Sequence, residues 1–300
     1  MKMIDNLIKC ILIPLLLAVV LSGCGGSGGD STNQILVIGE GYDEKPGDVF
    51  TTALSMSITY SNDQTAEINS VSVKTYSQVD EIPLKYNYSN AISGPYLLET
   101  TNEDGVLDGL EYMTLSGNSI IDDDLDYFTN VEYTTESGSE DPENIYIGDK
   151  YSFNENATLF NSQTGLEAGY KIIKMEFTVL SEEVVSVPAG EFNTAKIGYS
   201  ISETWSKNNV IDTLSGTGYG WFDTTNSYMI KMTADGDMTL NEYSLTASFS
   251  SEILLQSYFI SPSVVSNTAA RIIPINTVPN AEINADLIFF GLKKGIANIQ

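Results

Sequence analysis

The pattern that decides the fold is IKMEFTVL, residues 173–180. Apolar side chains occupy every second position, and polar side chains occupy most of the positions between them. Successive side chains of a β-strand point to opposite faces, so this spacing predicts a strand with one buried and one solvated face. The buried face would carry Ile173, Met175, Phe177 and Val179.

The same alternation recurs at 54–61, 195–202 and 243–250. Sheets with a single buried face are typically antiparallel. The sequence therefore predicts an all-β fold: a single antiparallel β-barrel or a strongly curved sheet or sandwich. Roughly ten or more strands are expected, closed or nearly closed, because closure removes exposed edges. The β domain should span 35–256, and an irregular, proline-containing C-terminal extension should follow at 257–300.

Turn-forming pairs separate the strand-like stretches. Asp235-Gly236, Asn208-Asn209 and Asp104-Gly105 combine residue types that tolerate left-handed backbone, so each pair predicts a hairpin turn. SGSEDPEN, residues 137–144, predicts an acidic loop.

Residues 1–23 resemble a bacterial lipoprotein signal peptide that is removed on export. Lys2 and Lys9 give it a positive start, and the apolar run at 10–21 is shorter than the roughly 20 residues that span a bilayer. The run ends in LSGC, which resembles the lipobox; the resemblance implies a diacylglycerol thioether on Cys24 and cleavage before it. The segment 24–34 would then be the lipidated cysteine and a flexible Gly/Ser tether.

This signal implies an exported protein that is anchored to the cell envelope, with the membrane as its first partner. An Asp after the lipidated cysteine resembles an inner-membrane retention signal. Gly25 occupies that position here. The sequence therefore favours the outer membrane, with the folded body in the periplasm or at the cell exterior.

Composition excludes several classes of function. The formal net charge is −26, so we expect no nucleic-acid partner and repulsion from anionic lipid surfaces. The chain has no histidine, and its two cysteines are Cys10, within the signal peptide, and Cys24. This composition argues against Ser-His-Asp and Cys-His catalysis and against a disulfide in the mature chain. We therefore expect a protein that is not an enzyme.

The second half of the chain resembles a known family. VPAGEF at 187–192, the strand after it, Trp205 and GYGWF at 218–222 occur in the order found in the TapB-like group of exported bacterial proteins, many of them lipoproteins of unknown function. In that group a V-P-A-G-x-F turn joins two strands, and an aromatic-glycine segment leads into a strand that carries a lysine, here Lys231. The resemblance covers about 49–253 and implies a β domain without implying an activity.

The residue types of that turn also favour an architectural role. Pro188 fixes φ near −65° and Gly190 can adopt a positive φ. Phe192 is expected to cover the core where the chain reverses. Pro188, Gly190 and Phe192 are therefore interpreted as structural turn residues and not as ligand contacts.

TTNEDGVLDGLE, residues 100–111, approximates the calcium-loop pattern D-x-[DN]-x-[DN]-G-x5-E when aligned on Gly105. Thr100 takes the place of the first ligand, and the alternative is a hairpin with an acidic rim. The candidate calcium ligands are Asn102, Asp104, Asp108 and Glu111.

DDDLD, residues 122–126, is a second acidic cluster. We interpret it as an exposed loop or strand end, because neighbouring carboxylates repel one another; a metal site is the alternative. Trp205 and Trp221 are interpreted as core residues and not as a ligand-stacking surface.

The sequence does not identify a specific role. The first hypothesis is a non-enzymatic binding module for an apolar small molecule, a lipid or an envelope protein. The alternative is a calcium-dependent surface adhesion or interaction module that uses the acidic loops. The third is a carboxylate-based hydrolase. No cofactor other than calcium is expected.

Overall fold

The computed structural model describes residues 35–36, 46–86, 96–113, 119–123, 125, 127–130, 145–207, 210–225, 228–241 and 244–261. The predictions for the signal peptide, for Cys24 and its tether, for the acidic loop at 137–144 and for the chain beyond residue 261 lie outside these ranges.

The described residues form β1 (Ile35–Leu36), β2 (Val49–Tyr60), β3 (Thr65–Gln78), β4 (Tyr96–Asn102), β5 (Leu107–Met113), β6 (Ser119–Asp123), β7 (Tyr127–Asn130), β8 (Ile145–Tyr146), β9 (Lys150–Asn161), β10 (Glu167–Val187), β11 (Gly190–Lys207), β12 (Val210–Asp223), β13 (Met229–Leu240) and β14 (Leu245–Phe259). A 3-10 turn, Leu84–Tyr86, follows β3. Among the described residues, no helix is long and apolar enough to cross a membrane.

The strands form a closed antiparallel barrel, which confirms the predicted fold class. Neighbours in the barrel follow chain order from β2 to β7 and from β9 to β14, and β14 pairs with β2 to close it. β1 and β8 form a separate two-stranded sheet. Antiparallel pairing between consecutive strands needs only short turns, which suits a chain without crossover helices.

The interior face is the one that the alternation predicted. Met175, Phe177 and Val179 of β10 are each at most 5% exposed, and they join a core built from β2, β3 and β9 to β14. Their polar neighbours Lys174 and Glu176 are not part of that core. Burial of this one face supplies the main stabilisation of the sheet.

One of the three predicted turns, Asp104-Gly105, is confirmed. Gly105 has a φ of +73° between β4 and β5, and the Asn102 side chain accepts backbone N–H bonds from Asp104 and Val106 at 3.0 and 2.9 Å. Lys207 pairs with Val210. The turn predicted between them, at Asn208-Asn209, lies outside the described residues.

The turn predicted at Asp235-Gly236 is wrong, because these residues lie in the middle of β13. The hairpin follows Leu240 instead, which pairs with Leu245. Gly236 serves close approach and not chain reversal: a Cβ there would stand 2.3 Å from the Ser215 carbonyl oxygen and 2.8 Å from the Phe249 ring.

The barrel has two ends, which we call the Pro188 end and the opposite end. The Pro188 end holds the β10–β11 turn, the first residue of β2 and the last residue of β14; Val49 and Phe259 pair there. The opposite end holds the β2–β3, β4–β5 and β13–β14 turns.

Candidate functional site

The Pro188 end carries an apolar cluster that is separate from the main core, and we call it the end cluster. Five strands contribute to it, and most of its side chains point into the barrel mouth. Its buried members are Phe50, Tyr76, Leu98, Tyr228, Ile230 and Leu255. Large apolar side chains at the mouth of a barrel are a common setting for ligand sites.

The tip of the β10–β11 hairpin covers this cluster. Both strands run past their outer neighbours, because β9 begins opposite Thr178 and β12 ends opposite Thr194. A register shift between Val179 and Ser181 marks where the hairpin departs from the barrel wall. β-Bulges of this kind bend a strand and increase its twist.

The tip reaches three strands across the barrel end. The backbone N–H of Ala189 donates to the carbonyl of Leu255 on β14 at 3.3 Å. Val185, Val187, Ala189 and Phe192 are partly buried against the end cluster. The hairpin tip therefore covers the barrel mouth through apolar contacts and a backbone hydrogen bond.

The predicted turn residues lie at this tip. Pro188 and Ala189 are the two loop residues, since Val187 pairs with Gly190. Gly190 has a φ of +141°, a conformation that L side chains rarely adopt. Phe192 packs edge-on against Tyr228, with ring centroids 6.2 Å apart.

Aromatic and aliphatic side chains also form an exposed rim around the same end. Tyr258 contacts Tyr228 and Phe192 at centroid distances of 5.4 and 6.0 Å, and yet remains 41% exposed. Phe259 and Val184 are 57% and 59% exposed. The apolar surface thus continues from the covered cluster into solvent.

Trp221 is buried, as predicted, but it lies on the outer face of the barrel and belongs to none of the apolar clusters. Its Nε1 donates to the Glu183 carboxylate on the hairpin. The Lys196 and Lys231 ammonium groups stand 4.9 and 5.3 Å from its ring centroid. Cation–π contacts of this kind stabilise an aromatic ring on a surface. Trp205, by contrast, lies in the main core at 1% exposure.

The opposite end of the interior holds buried charges that the sequence analysis missed. Lys171, Glu203 and Lys207 are at most 5% exposed, and the Lys171 Nζ lies 3.6 Å from a Glu203 oxygen. The Lys207 ammonium stands 4.5 Å from the Tyr127 ring centroid. The strand pattern predicts the burial of two of these residues. Lys171 lies on the same inward face of β10 as Ile173, and Glu203 lies on the same inward face of β11 as Ile201.

The acidic cluster at 122–126 is not simply an exposed strand end. Asp123 is fully buried on the outer face of the barrel, beneath the 3-10 turn at Leu84–Tyr86. Its carboxylate accepts hydrogen bonds from four donors: Lys85 Nζ at 2.8 Å, Tyr86 Oη at 2.6 Å, Ser162 Oγ at 2.7 Å and the Leu125 N–H at 2.8 Å. Asp124 and Asp126 lie outside the described residues.

These donors set the ionisation of the site. Burial alone would raise the pKa of Asp123, but the hydrogen bonds from Lys85, Tyr86 and Ser162 outweigh burial and hold it below 3.8. Burial, followed by the bond to Asp123, raises the pKa of Tyr86. Asp123 is therefore an ionised carboxylate that fixes the segment 79–86 to the barrel wall, beside a buried cluster of Tyr86, Tyr112, Ile121 and Phe128.

The structure does not bring all four candidate calcium ligands together. Asn102 is the last residue of β4, whereas Glu111 pairs with Leu98 further back along the same strand. Leu98 is four residues from Asn102, or about 13 Å at roughly 3.3 Å per strand residue. Among the described residues, no three His, Cys, Asp or Glu side chains are grouped so that they could hold a metal ion.

Comparison with known proteins gives a distant set of neighbours. No family model matches the chain, and no curated protein matches it. A proposed lipoprotein from Parabacteroides distasonis is 14% identical, with a TM-score of 0.34 over 73% of this chain and 98% of its own. A proposed exported protein with a YmcC-like fold from Bacteroides fragilis is 12% identical, with a TM-score of 0.37 over the same shares of the two chains.

The hypothetical lipoprotein YmcC from Escherichia coli is 9% identical, with a TM-score of 0.30 over 72% of this chain and 86% of its own. At these TM-scores the likeness carries no argument about this chain. The resemblance to the TapB-like group stays a prediction.

Proposed function

We propose that this chain is an exported lipoprotein, anchored through Cys24 to the cell envelope and most favourably to the outer membrane. We further propose that its barrel is a non-enzymatic binding module for an apolar small molecule or a lipid chain, which binds at the Pro188 end. The observation that carries the binding role is the end cluster beneath the β10–β11 hairpin tip.

The composition of this end supports an apolar ligand. Phe50, Tyr76 and Tyr228 provide broad ring surfaces, and Leu98, Ile230 and Leu255 complete the cluster. The tip contributes Val185, Val187 and Ala189, whose contacts are apolar and can be replaced by a hydrocarbon chain. Tyr258, which contacts Tyr228 and Phe192 and is 41% exposed, continues the apolar surface from the cluster into solvent.

The test measures binding of the neutral apolar probe N-phenyl-1-naphthylamine to the chain 24–300 with Cys24→Ser. We expect saturable fluorescence enhancement with one probe per protein. Enhancement that rises linearly with the probe concentration, without saturation, would contradict the binding role.

Val185→Asp and Val184→Asp form a matched pair. Val185 packs against the end cluster, whereas the neighbouring Val184 is 59% exposed. We expect Val185→Asp to weaken probe binding by about tenfold, equivalent to about 1.4 kcal/mol, and Val184→Asp to leave it unchanged. Equal effects of the two variants would indicate that the probe does not bind at the end cluster.

The calcium-dependent module is the alternative proposal; of its candidate ligands Asn102, Asp104, Asp108 and Glu111, the first and the last lie too far apart to hold one ion. Isothermal titration with calcium tests this proposal, and no heat of binding at millimolar calcium would contradict it.

A carboxylate-based hydrolase is the weakest candidate. Screening against glycans without turnover would rule it out. If the ligand is an envelope protein instead, we expect the chain to bind that protein tightly and to show no saturable binding of the apolar probe.

A further inference from the structure

The described chain enters the barrel at the Pro188 end. Val49 begins β2 and pairs with Phe259. The preceding residues are fixed at the same end, because the Gly47 N–H donates to the Tyr76 carbonyl at 2.8 Å and the Asp48 carboxylate accepts the Ser261 N–H at 2.7 Å.

The segment upstream also lies near this end. Ile35 and Leu36 pair with Tyr146 and Ile145. Lys150 follows shortly after and pairs with Thr178 beside the hairpin. A Gly/Ser-rich chain of about ten residues, the length between Cys24 and Ile35, has a typical end-to-end distance of roughly 18 Å. β2 alone extends about 40 Å toward the opposite end, at roughly 3.3 Å for each strand residue.

The rim at this end has the chemistry of a membrane interface. Phe259, Val184 and Tyr258 are 57%, 59% and 41% exposed, and Tyr258 combines an apolar ring with a hydroxyl. Aromatic side chains of this kind are enriched where apolar and aqueous phases meet. The opposite end also exposes apolar side chains, among them Val106 at 58% and Leu166 at 69%, so exposure alone does not distinguish the ends. The two ends differ in their expected distance from the anchor, which is shorter for the Pro188 end.

The hairpin also limits which lipids suit this surface. Glu182 and Glu191 are exposed near the rim, and the chain carries a net charge of −26. Carboxylates are repelled by anionic headgroups. The surface that fits this end is therefore a zwitterionic one.

We propose that the Pro188 end rests on the zwitterionic lipid surface that holds the Cys24 anchor, with Val184, Tyr258 and Phe259 at the headgroup level. This inference rests on the lipid anchor of the proposed function. It places the mouth of the barrel against the membrane, so that an apolar ligand passes between the two without crossing water.

The test uses the mature lipidated chain in phosphatidylcholine vesicles. Because Cys24 is acylated and Cys10 leaves with the signal peptide, an introduced cysteine is the only reactive thiol. Val184→Cys and Val106→Cys are matched in residue type and in exposure, at 59% and 58%, and lie at opposite ends. Each is labelled with the environment-sensitive dye NBD. Flotation of the vesicles reports the anchor separately.

We expect the dye at residue 184 to shift its emission to shorter wavelength and to be quenched at least threefold more strongly by headgroup spin-labelled lipid than the dye at residue 106. Flotation of the protein with equal signals at both positions would overturn the orientation and leave the anchor intact. Failure to float would overturn the anchor and the orientation together. Loss of the contrast in a Tyr258→Ser, Phe259→Ser double variant that still floats would identify these rings as the contact.

Discussion

Gly216 and Gly236 lie directly opposite each other on β12 and β13, and the ring of Phe249 covers both. A Cβ at Gly216 would stand 3.6 Å from this ring, and one at Gly236 would stand 2.8 Å from it. Two missing side chains on neighbouring strands thus make room for one aromatic ring inside the barrel.

Gly236→Ala should destabilise the barrel. The added methyl would also meet the Ser215 carbonyl oxygen at 2.3 Å, so the backbone must shift. We expect a loss of about 2 to 3 kcal/mol in the free energy of unfolding, measured by urea denaturation. Gly198→Ala is the control, because its nearest neighbour is the flexible, 38% exposed Leu180 side chain at 3.1 Å. A Gly236→Ala protein as stable as the control would contradict this account.

Asp123→Asn should also be strongly destabilising. The amide has no charge to offer Lys85, and its nitrogen would face donors such as Tyr86 and Ser162. Breaking a buried ionic group of this kind costs about 3 kcal/mol. The control is Asp63→Asn in the exposed β2–β3 turn, where the φ of +63° suits asparagine. A change below about 0.5 kcal/mol in Asp123→Asn would show that the carboxylate is not needed.

The contribution of Asp123 should depend on pH. Its pKa in the folded protein lies below 3.8, so the folded state binds the proton more weakly than the unfolded state. The stabilisation is therefore complete well above pH 4 and is lost as pH falls through 3.8 toward the folded pKa. We expect the stability difference between the native protein and Asp123→Asn to be constant from pH 7 to about pH 5 and to shrink below it. A difference that does not change down to pH 2.5 would contradict the prediction.

Glu183→Ala should uncover Trp221. The carboxylate accepts the indole N–H and lies 3.8 Å from the Lys196 ammonium, so its removal opens the outer side of the ring. We expect stronger acrylamide quenching of tryptophan fluorescence and a loss of about 1 kcal/mol in stability. Trp205, the other tryptophan, is 1% exposed and should not respond. Glu182→Ala, on the neighbouring exposed residue, should leave quenching unchanged.

The sequence was sufficient for the barrel and for the turn at Asp104-Gly105. Period-2 alternation depends only on which face of a strand is buried, and this rule holds along β10 and β11. It was not sufficient at Asp235-Gly236, because a glycine that admits an aromatic ring from the neighbouring strand has the same local sequence as a glycine that turns the chain. Such spacing depends on pairing across strands.

The site shows the same limit. The turn at Pro188 is encoded locally, but its position over Leu255 depends on a register shift near Leu180 that no local pattern marks. Asp123 was hidden because its donors lie some forty residues away on either side, at Lys85 and Ser162. Lys171 and Glu203 could have been found, because each falls in the inward phase of its strand.

Closure of the barrel through β2 and β14 has a consequence for folding. Val49 pairs with Phe259, so β2, the first long strand of the described barrel, cannot complete its pairing until β14, the last strand, has formed. Contacts between such distant positions slow folding, because the entropy cost of closing a long loop comes before the pairing contributes any stabilisation. In the export that we propose, a chain that emerges N-terminus first would expose an unpaired edge of β2 until β14 emerges. We therefore expect slow, single-step acquisition of protease resistance, and a strong need for protection of the unfinished sheet during export.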